Sequence, residues 1–296
     1  MLINPVSYNL SDLVGNTPIY HIKSLSSKKI NVFGKLEGQN IGGSIKDRIA
    51  SNIIDYAIKT KQLTKEKTIL EASSGNTAIG LSMIAASKGY KITVVVSESV
   101  SVERKKLLKL LGAKIIFSPS NEGTDGAIRL LKKIYSRNPE KYFLSNQFSN
   151  PINPITHYYQ TAKEIIYQLP NIDYLVIGIG TSGTAVSLSK ALKEYNPKIK
   201  IIVIEPKKET PIAGLKNLKI SIVPKIYDSS LFDKTIYVSN KETISETKKI
   251  IRTEGLMIGI SSGAALAGAK KFSRKIKKGN ILVILPDRIE RYLSIF

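Results

Sequence analysis

Nearly continuous apolar segments that alternate with helical segments constrain the fold of this chain more than any other feature. Such segments run over Lys91–Val96, Asp173–Ile179, Lys200–Ile204 and Asn280–Leu285. A strand that is apolar at almost every position is buried on both faces, as in a parallel sheet covered by helices. The alternation therefore predicts a parallel, doubly wound α/β architecture.

The other predicted elements complete this pattern. Further strands are predicted at Lys29–Leu36, Thr68–Glu71, Lys114–Phe117 and Tyr142–Leu144. Helices are predicted at Asp47–Lys59, Ala78–Lys88, Glu103–Leu111, Gly126–Ser136, Gln160–Leu169, Thr184–Tyr195, Glu242–Glu254 and Gly263–Lys271. The proline-rich turn Asn150–Pro154 lies in a break from Gln147 to Pro154, and this break predicts a domain boundary.

The residue types that the chain lacks exclude several kinds of chemistry. Its 296 residues include no cysteine and two histidines, His21 and His157. The absence of cysteine excludes disulfides, iron–sulfur clusters and thiol nucleophiles. Because there are only two histidines, a Ser-His-Asp triad is not favoured, and we expect no metal site. No apolar run approaches the roughly 20 residues of a membrane span, and the N-terminus lacks the basic and apolar regions of a secretory signal. These features predict a cytoplasmic enzyme or binding protein of one large or two modest domains.

The net charge of +22, from 45 basic and 23 acidic residues, raises the question of nucleic-acid binding. A nucleic-acid surface concentrates its basic residues on one face or stripe. Here they are spread along the chain, and the densest cluster is Lys275–Gly279. A compositional bias or adaptation to heat is therefore favoured over nucleic-acid binding, although the charge could still steer anionic substrates.

Three loops carry the chemical information, and the first is Gly178-Ile-Gly180-Thr-Ser-Gly183. It follows a predicted strand, opens a predicted helix and has Glu205 about twenty residues further on, as in a dinucleotide-binding site. The motif predicts phosphate binding but not specifically a dinucleotide, because glycines and a helix N-terminus bind any phosphate, including that of a cofactor monophosphate. The hydroxyls of Thr181 and Thr184 suit a compact terminal phosphate.

The other two loops precede helices of the N-terminal half. In Asn40–Arg48, Lys46 stands among small polar residues at a helix start, where the helix dipole lowers the pKa of an amine and favours a Schiff-base lysine. The alternative is an exposed lysine near a helix cap. In Glu71–Thr77, hydroxyls, an amide and backbone N–H groups could cradle a carboxylate, and the alternative is a simple capping turn.

The order of these loops resembles that of the fold-type II pyridoxal-phosphate enzymes, in the branch of the cysteine synthases and cystathionine β-synthases. Longer motifs in the same order carry the resemblance over essentially the whole chain: Leu13–Ile19, Ser101–Ile115, Asn138–Pro154, Glu254–Ala265 and Ile284–Ser294. The resemblance implies two doubly wound α/β domains, similar to the β-subunit of tryptophan synthase, with the active site in the cleft between them. The smaller, mobile domain would be 36–149, and the larger one would be 1–35 with 150–296.

The resemblance also implies roles for individual residues. Lys46 would bind the aldehyde of pyridoxal 5′-phosphate and move the substrate α-proton, Asn76 would bind the 3′ oxygen of the cofactor, and Ser261 would face its pyridine nitrogen. The cofactor phosphate would be bound by Gly180, Thr181, Ser182, Gly183 and Thr184. The substrate carboxylate would be bound by Ser73, Ser74, Gly75, Thr77 and Gln147.

The expected reaction is a β-replacement that makes L-cysteine from an activated serine and sulfide. A neutral partner such as Ser261 leaves the pyridine nitrogen largely unprotonated, which makes the ring a weaker electron sink and disfavours a long-lived carbanion. Loss of a β-leaving group, giving an α-aminoacrylate, is therefore favoured. Two departures bear on the substrate. Ser182 stands where the family usually has glycine, and the short segment Pro211–Leu218 is similar to that of the B-type enzymes. Within it Lys216 is a candidate ligand for the phosphate of O-phosphoserine, so that O-acetylserine and O-phosphoserine both remain open as donors.

The residues and motifs leave other functions and the identity of the partners open. Another nucleophile would give cystathionine or a diaminopropionate-type product, and a non-catalytic regulatory paralogue would bind the cofactor without turnover. The resemblance further implies a homodimer, with serine acetyltransferase or a sulfur-carrier protein as a candidate partner.

Overall fold

The computed structural model describes residues 6–73, 75–208, 210–220, 223–224 and 226–296. They form two compact units, of which unit 1 contains the residues up to Gly15 and Asn40–Ile152, and unit 2 contains Asn16–Gln39 and Asn153–Phe296. The strands are β1 (Ile19–His21), β2 (Ile30–Leu36), β3 (Thr68–Ala72), β4 (Ile92–Ser97), β5 (Lys114–Ser118), β6 (Tyr142–Leu144), β7 (Tyr174–Gly178), β8 (Lys200–Pro206), β9 (Lys234–Val238) and β10 (Gly279–Leu285). The α-helices among these residues are α1 (Lys46–Lys59), α2 (Asn76–Ser87), α3 (Val102–Leu110), α4 (Gly123–Arg137), α5 (Ile152–Thr156), α6 (Ala162–Gln168), α7 (Gly183–Tyr195), α8 (Asn240–Glu254) and α9 (Ile260–Ser273).

Unit 1 is built on a sheet of four parallel strands in the order β5-β4-β3-β6. Every residue of β4 is buried, as its continuous apolar sequence predicts. Helices α1 and α2 contribute Ile49, Ile53 and Ile84 to the core that covers this sheet. Because β3 and β6 are parallel neighbours, their carboxyl ends lie side by side, and the loops that follow them begin at the same edge.

Unit 2 is built on a sheet of six strands in the order β1-β2-β10-β7-β8-β9. Five of them are parallel, which confirms the predicted architecture, and β1 pairs antiparallel with β2. The sequence patterns did not predict β1 and β9. Both are short edge strands, only partly buried, so neither carries the continuous apolar sequence that marks the central strands.

Helix α9 packs unusually close to the sheet of unit 2 because its residues are small. Ala264, Ala265 and Gly268 are buried in the core, and a Cβ atom at Gly268 would lie 2.2 Å from Cδ1 of Ile204 on β8. This close packing fixes the position of the first turn of α9, which contains Ser261.

The helical segment after β6 differs from the prediction. A proline-rich turn was expected at Asn150–Pro154 and a helix from Gln160, whereas the helix begins at Ile152. Pro154 lies in its first turn, where a missing N–H costs no hydrogen bond, so the proline does not prevent the helix. The residues His157–Thr161 between α5 and α6 form a π-helical turn. No helix within the described ranges is long and apolar enough to cross a membrane.

The division into units also differs from the predicted domain boundaries, 36–149 against 1–35 with 150–296. The largest difference is at the N-terminus, since the residues up to Gly15 group with unit 1. Leu10 and Val14 pack against the core of this unit, and the N–H of Gly15 donates to Oδ1 of Asn40 at 2.8 Å. These contacts join positions far apart in the chain, so periodicity cannot reveal them.

Candidate active site

Lys46 is the first residue of α1 and is partly buried. The loop before it is fixed by the fully buried carboxylate of Asp47, whose Oδ2 accepts hydrogen bonds from the N–H groups of Gly42 (2.8 Å) and Ser44 (3.3 Å). The Ser44 hydroxyl donates to Oδ1 of Asp47 at 3.3 Å. The Asp47 side chain therefore holds the turn from Gly42 to Ser44 in the conformation that places Lys46 at a helix N-terminus.

The start of α1 packs closely against α2. A Cβ atom at Gly80 of α2 would lie 3.3 Å from the carbonyl oxygen of Lys46 and 3.2 Å from Cβ of Ala50. Asn76, the first residue of α2, is four residues before Gly80 and so lies on the same side of the helix. Unit 1 thus brings Lys46 and Asn76, the predicted Schiff-base lysine and its predicted neighbour, to one pair of packed helix starts.

The predicted carboxylate loop lies where β3 and β6 end. Thr77 and Gln147 are buried, and the Thr77 hydroxyl donates to Oε1 of Gln147 at 2.6 Å. The N–H of Gly75 donates to the hydroxyl of Ser73 at 3.3 Å. The first N–H groups of α2 have no acceptor within the helix, so this loop presents donors suited to an anion. Ser74, the other residue predicted here, lies outside the described residues.

Glu71 was not predicted to belong to the site. It is 2% exposed, and its carboxylate accepts hydrogen bonds from the Ser145 hydroxyl at 2.5 Å and from Nε2 of Gln147 at 3.1 Å. Burial raises the pKa of Glu71 to about 7, although the hydrogen bonds from Ser145 and Gln147 act in the opposite direction. A carboxylate near the end of an otherwise apolar strand was the one sequence signal that could have identified it.

The glycine-rich loop of unit 2 connects β7 to α7. A Cβ atom at Gly180 would lie 2.7 Å from the carbonyl oxygen of Gly214, and one at Gly183 would lie 2.3 Å from Oδ1 of Asn153. Between them Ser182 has φ 68°, a left-handed conformation that favours glycine. Its hydroxyl is buried and has no hydrogen-bond partner among the residues that the structure describes. The loop has the shape of a cradle that only small residues can form.

His157 supports this loop from the π-helical turn. The imidazole is fully buried, with Nε2 3.1 Å from the hydroxyl of Thr184 and Nδ1 3.0 Å from the hydroxyl of Thr161. The Asn153 amide nitrogen lies 3.5 Å from the hydroxyl of Thr181. Two of the predicted phosphate ligands are therefore oriented by side chains of the preceding helical segment, and the sequence analysis gave neither His157 nor Asn153 this role.

Glu205 decides between the two interpretations of the glycine-rich loop. In a dinucleotide site this acid would bind a ribose. Here it is 4% exposed, and its Oε2 accepts a hydrogen bond from the N–H of Leu218 at 3.1 Å. Burial raises its pKa. Because Glu205 holds the loop that follows β8, the structure favours the monophosphate interpretation.

Gly214 connects the glycine-rich loop to Ser261 within unit 2. Its carbonyl group approaches Gly180, and a Cβ atom built on it would lie 3.5 Å from Cβ of Ser261. Ser261 is 4% exposed in the first turn of α9. The N–H of Lys216 donates to the carbonyl oxygen of Ile179 at 2.8 Å, so Lys216 lies beside the same loop. Unit 2 therefore brings together all of its predicted site residues.

Comparison with known proteins gives one consistent result. The family model of the pyridoxal-phosphate dependent enzymes matches residues 10–287. The chain belongs to this family. Among curated relatives, cysteine synthase B of Campylobacter jejuni is 39% identical over 297 residues, covering 98% of each chain.

Two solved structures are similar to this chain over nearly its whole length. O-acetyl serine sulfhydrylase isoform 3 of Entamoeba histolytica has a TM-score of 0.91 at 32% identity, covering 99% of this chain and 92% of its own. The O-acetylserine dependent cystathionine β-synthase of Helicobacter pylori has a TM-score of 0.89 at 33% identity, covering 98% of each chain.

These matches confirm the predicted branch, the fold-type II architecture and the cofactor, so the protein is a pyridoxal-phosphate dependent enzyme. The residues of the glycine-rich loop fit the cofactor's phosphate. Three features together form a donor set for a phosphate dianion: glycines where a Cβ would collide, a buried Ser182 hydroxyl that has no partner among the described residues, and the first N–H groups of α7, which have no acceptor within the helix. Among the described residues no group of three or more histidines and acids could bind a metal ion.

Proposed function

We propose that this enzyme makes L-cysteine by β-replacement, using an activated L-serine ester and sulfide. The observation that carries the proposal is the buried Thr77–Gln147 pair beside the helix start that contains Lys46. Unit 1 thereby contains both the lysine amine and a site suited to an α-carboxylate, and these are the groups that an amino-acid substrate requires. Cysteine synthases similar to this chain over nearly its whole length support the same reaction.

The proposed roles divide between the two units. The bound cofactor acts as an electron sink for the charge that develops at the substrate α-carbon. Lys46 would hold the cofactor and move the α-proton, Asn76 would bind the cofactor's 3′ oxygen, and Ser261 would offer a neutral partner to its ring nitrogen. The phosphate would be held by Gly180, Thr181, Ser182, Gly183 and Thr184. The substrate carboxylate would be held by Ser73, Ser74, Gly75, Thr77 and Gln147.

O-acetylserine is the proposed donor. The Entamoeba histolytica and Helicobacter pylori relatives are both named for O-acetylserine, and acetate is a good leaving group from the β-carbon. Lys216 would serve O-phosphoserine instead if its ammonium group met the phosphate of that ester. Replacing Lys216 with methionine separates the two donors, because it should lower kcat/KM for O-phosphoserine alone if Lys216 binds a phosphate.

A different nucleophile is the second candidate, and the similarity to a cystathionine β-synthase favours it. The donor half of the reaction is the same in both cases, so the nucleophile decides the product. Product formation with sulfide and with homocysteine, at equal donor concentration, distinguishes the two activities. A homodimer, an acetyltransferase or sulfur-carrier partner and a cytoplasmic location stay predictions.

The experiment that tests the proposal is an absorption spectrum of the purified protein, followed by product analysis. We expect a visible cofactor band that shifts on addition of O-acetylserine and returns when sulfide is added, with release of L-cysteine. Lys46→Ala should lose the lysine-linked band and at least a thousandfold in kcat, since the reacting amine is absent. A wild-type band that neither serine ester shifts would contradict the proposed reaction and favour the non-catalytic paralogue.

A further inference from the structure

Glu71 is a buried acid for which the proposed reaction has no direct use. It lies near the carboxyl end of β3, and both of its oxygens are engaged within unit 1. The Ser145 hydroxyl, which donates to Oε2, also lies 3.3 Å from the carbonyl oxygen of Leu70. Burying an acid costs free energy, and these hydrogen bonds offset only part of that cost, so the presence of Glu71 here calls for an explanation beyond packing.

The hydrogen bonds of Glu71 determine which way the Gln147 amide faces. When Glu71 is ionised its carboxylate only accepts hydrogen bonds, so Nε2 of Gln147 must face Glu71, as it does in the structure, and Oε1 must face away from it. Oε1 then accepts from the Thr77 hydroxyl at 2.6 Å. With Glu71 ionised, the direction of the hydrogen bonds is therefore fixed along the whole series from Glu71 through Gln147 to Thr77.

Two strands and a helix start are joined by this series. Glu71 belongs to β3, Gln147 follows β6, and Thr77 is in the first turn of α2. Residues 71, 77 and 147 are each no more than 3% exposed, so water does not compete for these hydrogen bonds. A rigid, dry series of this kind can hold the carboxylate loop in one geometry before substrate arrives.

We propose that Glu71 is a positioning residue for the amino-acid substrate: by fixing the Gln147 amide and, through it, Thr77, it sets the geometry of the site that binds the substrate α-carboxylate. The proposal rests on the carboxylate-binding role given to Thr77 and Gln147 under the proposed function. It predicts a defect confined to ligands that carry an α-carboxylate.

The test uses Glu71→Gln in the enzyme loaded with its cofactor, at about pH 8.5, where the wild-type Glu71, with its pKa of about 7, is ionised. A glutamine at this position can donate to Oε1 of a rotated Gln147 amide, which would reverse the series without creating a cavity. We expect the resting cofactor band to be unchanged, the apparent Kd for O-acetylserine to rise about tenfold or more, and KM for sulfide to stay within about twofold, as expected for the loss of two oriented hydrogen bonds. Glu71→Asp keeps the charge but has a shorter side chain, so its apparent Kd for O-acetylserine should lie between those of the wild type and E71Q.

A ligand without the carboxylate provides the matched control. The spectral response to O-acetylethanolamine should be the same in the wild type and in E71Q, because this amine lacks the α-carboxylate. Ser145→Ala removes one donor to Glu71 but leaves the Gln147 contact, and it should change the apparent Kd for O-acetylserine by less than about threefold. Equal effects of E71Q on both ligands, or no effect on O-acetylserine, would overturn the proposal.

The same titration with L-serine separates this inference from the proposed function. L-serine carries the α-carboxylate but no activated leaving group. A wild type that responds to L-serine and not to O-acetylserine would contradict the proposed donor, while a weaker L-serine response in E71Q would still support the role of Glu71. A wild type that responds to neither amino acid would refute both. If E71Q does not fold, E71D and S145A give the comparison, and equal affinity of E71D and wild type for L-serine would overturn the proposal.

Discussion

The Nε2 atom of His157 lies 3.1 Å from the hydroxyl of Thr184 and so connects the π-helical turn to the first turn of α7. The other ring nitrogen is bound to Thr161 four residues further on, and the imidazole is fully buried. The ring therefore has a single orientation, and it places the Thr184 hydroxyl at the glycine-rich loop. π-Helical turns occur often at functional sites, and this one supplies a side chain that supports the glycine-rich loop, the proposed binding site of the cofactor's phosphate.

Replacing His157 with phenylalanine should weaken cofactor binding. The ring volume is kept, but the hydrogen bond to Thr184 is lost, which corresponds to about 1 kcal/mol and a rise of about fivefold in Kd for pyridoxal phosphate. Thr184→Val should show a similar or larger rise, and Thr184→Ser, which keeps the hydroxyl, should show little change. Titration of the apoenzyme with cofactor, followed in the visible spectrum, measures this. Unchanged affinity in both His157→Phe and Thr184→Val would contradict a role for this contact.

Ser182→Gly tests the strain in the glycine-rich loop. Ser182 has φ 68°, and a non-glycine residue in this conformation costs about 1 kcal/mol, so the glycine variant should be more stable by a similar amount. Its buried hydroxyl has no partner among the described residues, which predicts that it meets the cofactor phosphate. The variant should therefore gain stability without cofactor and lose affinity for it. Urea unfolding of the apoenzyme and cofactor titration measure the two effects, and a loss of apoenzyme stability would contradict the strain.

The ionisation of Glu71 should make stability depend on pH. Burial raises the pKa of Glu71 to about 7, well above its value in the unfolded chain. Between about pH 4.5 and 7 the unfolded chain has lost this proton while the folded protein keeps it, so stability falls as pH rises, by about 3 kcal/mol in all. Glu71→Gln should lose this component, so that its free energy of unfolding, relative to that of the wild type, rises from pH 5 to pH 8. Parallel pH profiles for the two proteins would show that the pKa of Glu71 is not raised.

Glu242 should stabilise α8 above acidic pH. Its Oε2 accepts from the N–H of Ser239 at 2.7 Å in a capping box, and its Oε1 lies 2.6 Å from Nζ of Lys271. Burial raises the pKa of Glu242, but the hydrogen bonds from Lys271 and Ser239 outweigh it and lower the pKa to about 2. The stabilisation is therefore complete above about pH 4.5 and is lost as pH falls toward 2.

Glu242→Ala should accordingly cost about 1 kcal/mol at pH 7, or a few degrees in Tm. The exposed neighbour Lys241 in the same helical turn provides the control, and Lys241→Ala should leave Tm unchanged. Thermal unfolding at pH 7 and pH 3 measures both variants. A loss of the same size at both values of pH would contradict the low pKa.

The sequence by itself determined the elements that carry their own pattern. The continuous apolar runs became β4, β7, β8 and β10, and the glycine-rich segments became loops at strand ends, because burial on both faces and freedom from a Cβ atom are local properties of residue types. The resemblance of the motifs then indicated the family and the cofactor, which the comparisons confirm, and it predicts the residues that would bind the cofactor. Short edge strands such as β1 and β9 lacked such a pattern and were missed.

Only the tertiary structure decided which distant residues support those loops. The Glu71 carboxylate accepts hydrogen bonds from Ser145 and Gln147, and His157 is hydrogen-bonded to Thr184. The Glu205 carboxylate accepts a hydrogen bond from the N–H of Leu218. Glu71 meets Ser145 and Gln147 because the parallel neighbours β3 and β6 bring their carboxyl ends to one edge of a sheet. The contacts of His157 and Glu205 depend instead on how the helical segment after β6 and the loop after β8 pack. A polar side chain in a sequence gives no sign of its distant partner, since a hydrogen bond of about 3 Å depends on strand order and helix packing rather than on spacing along the chain.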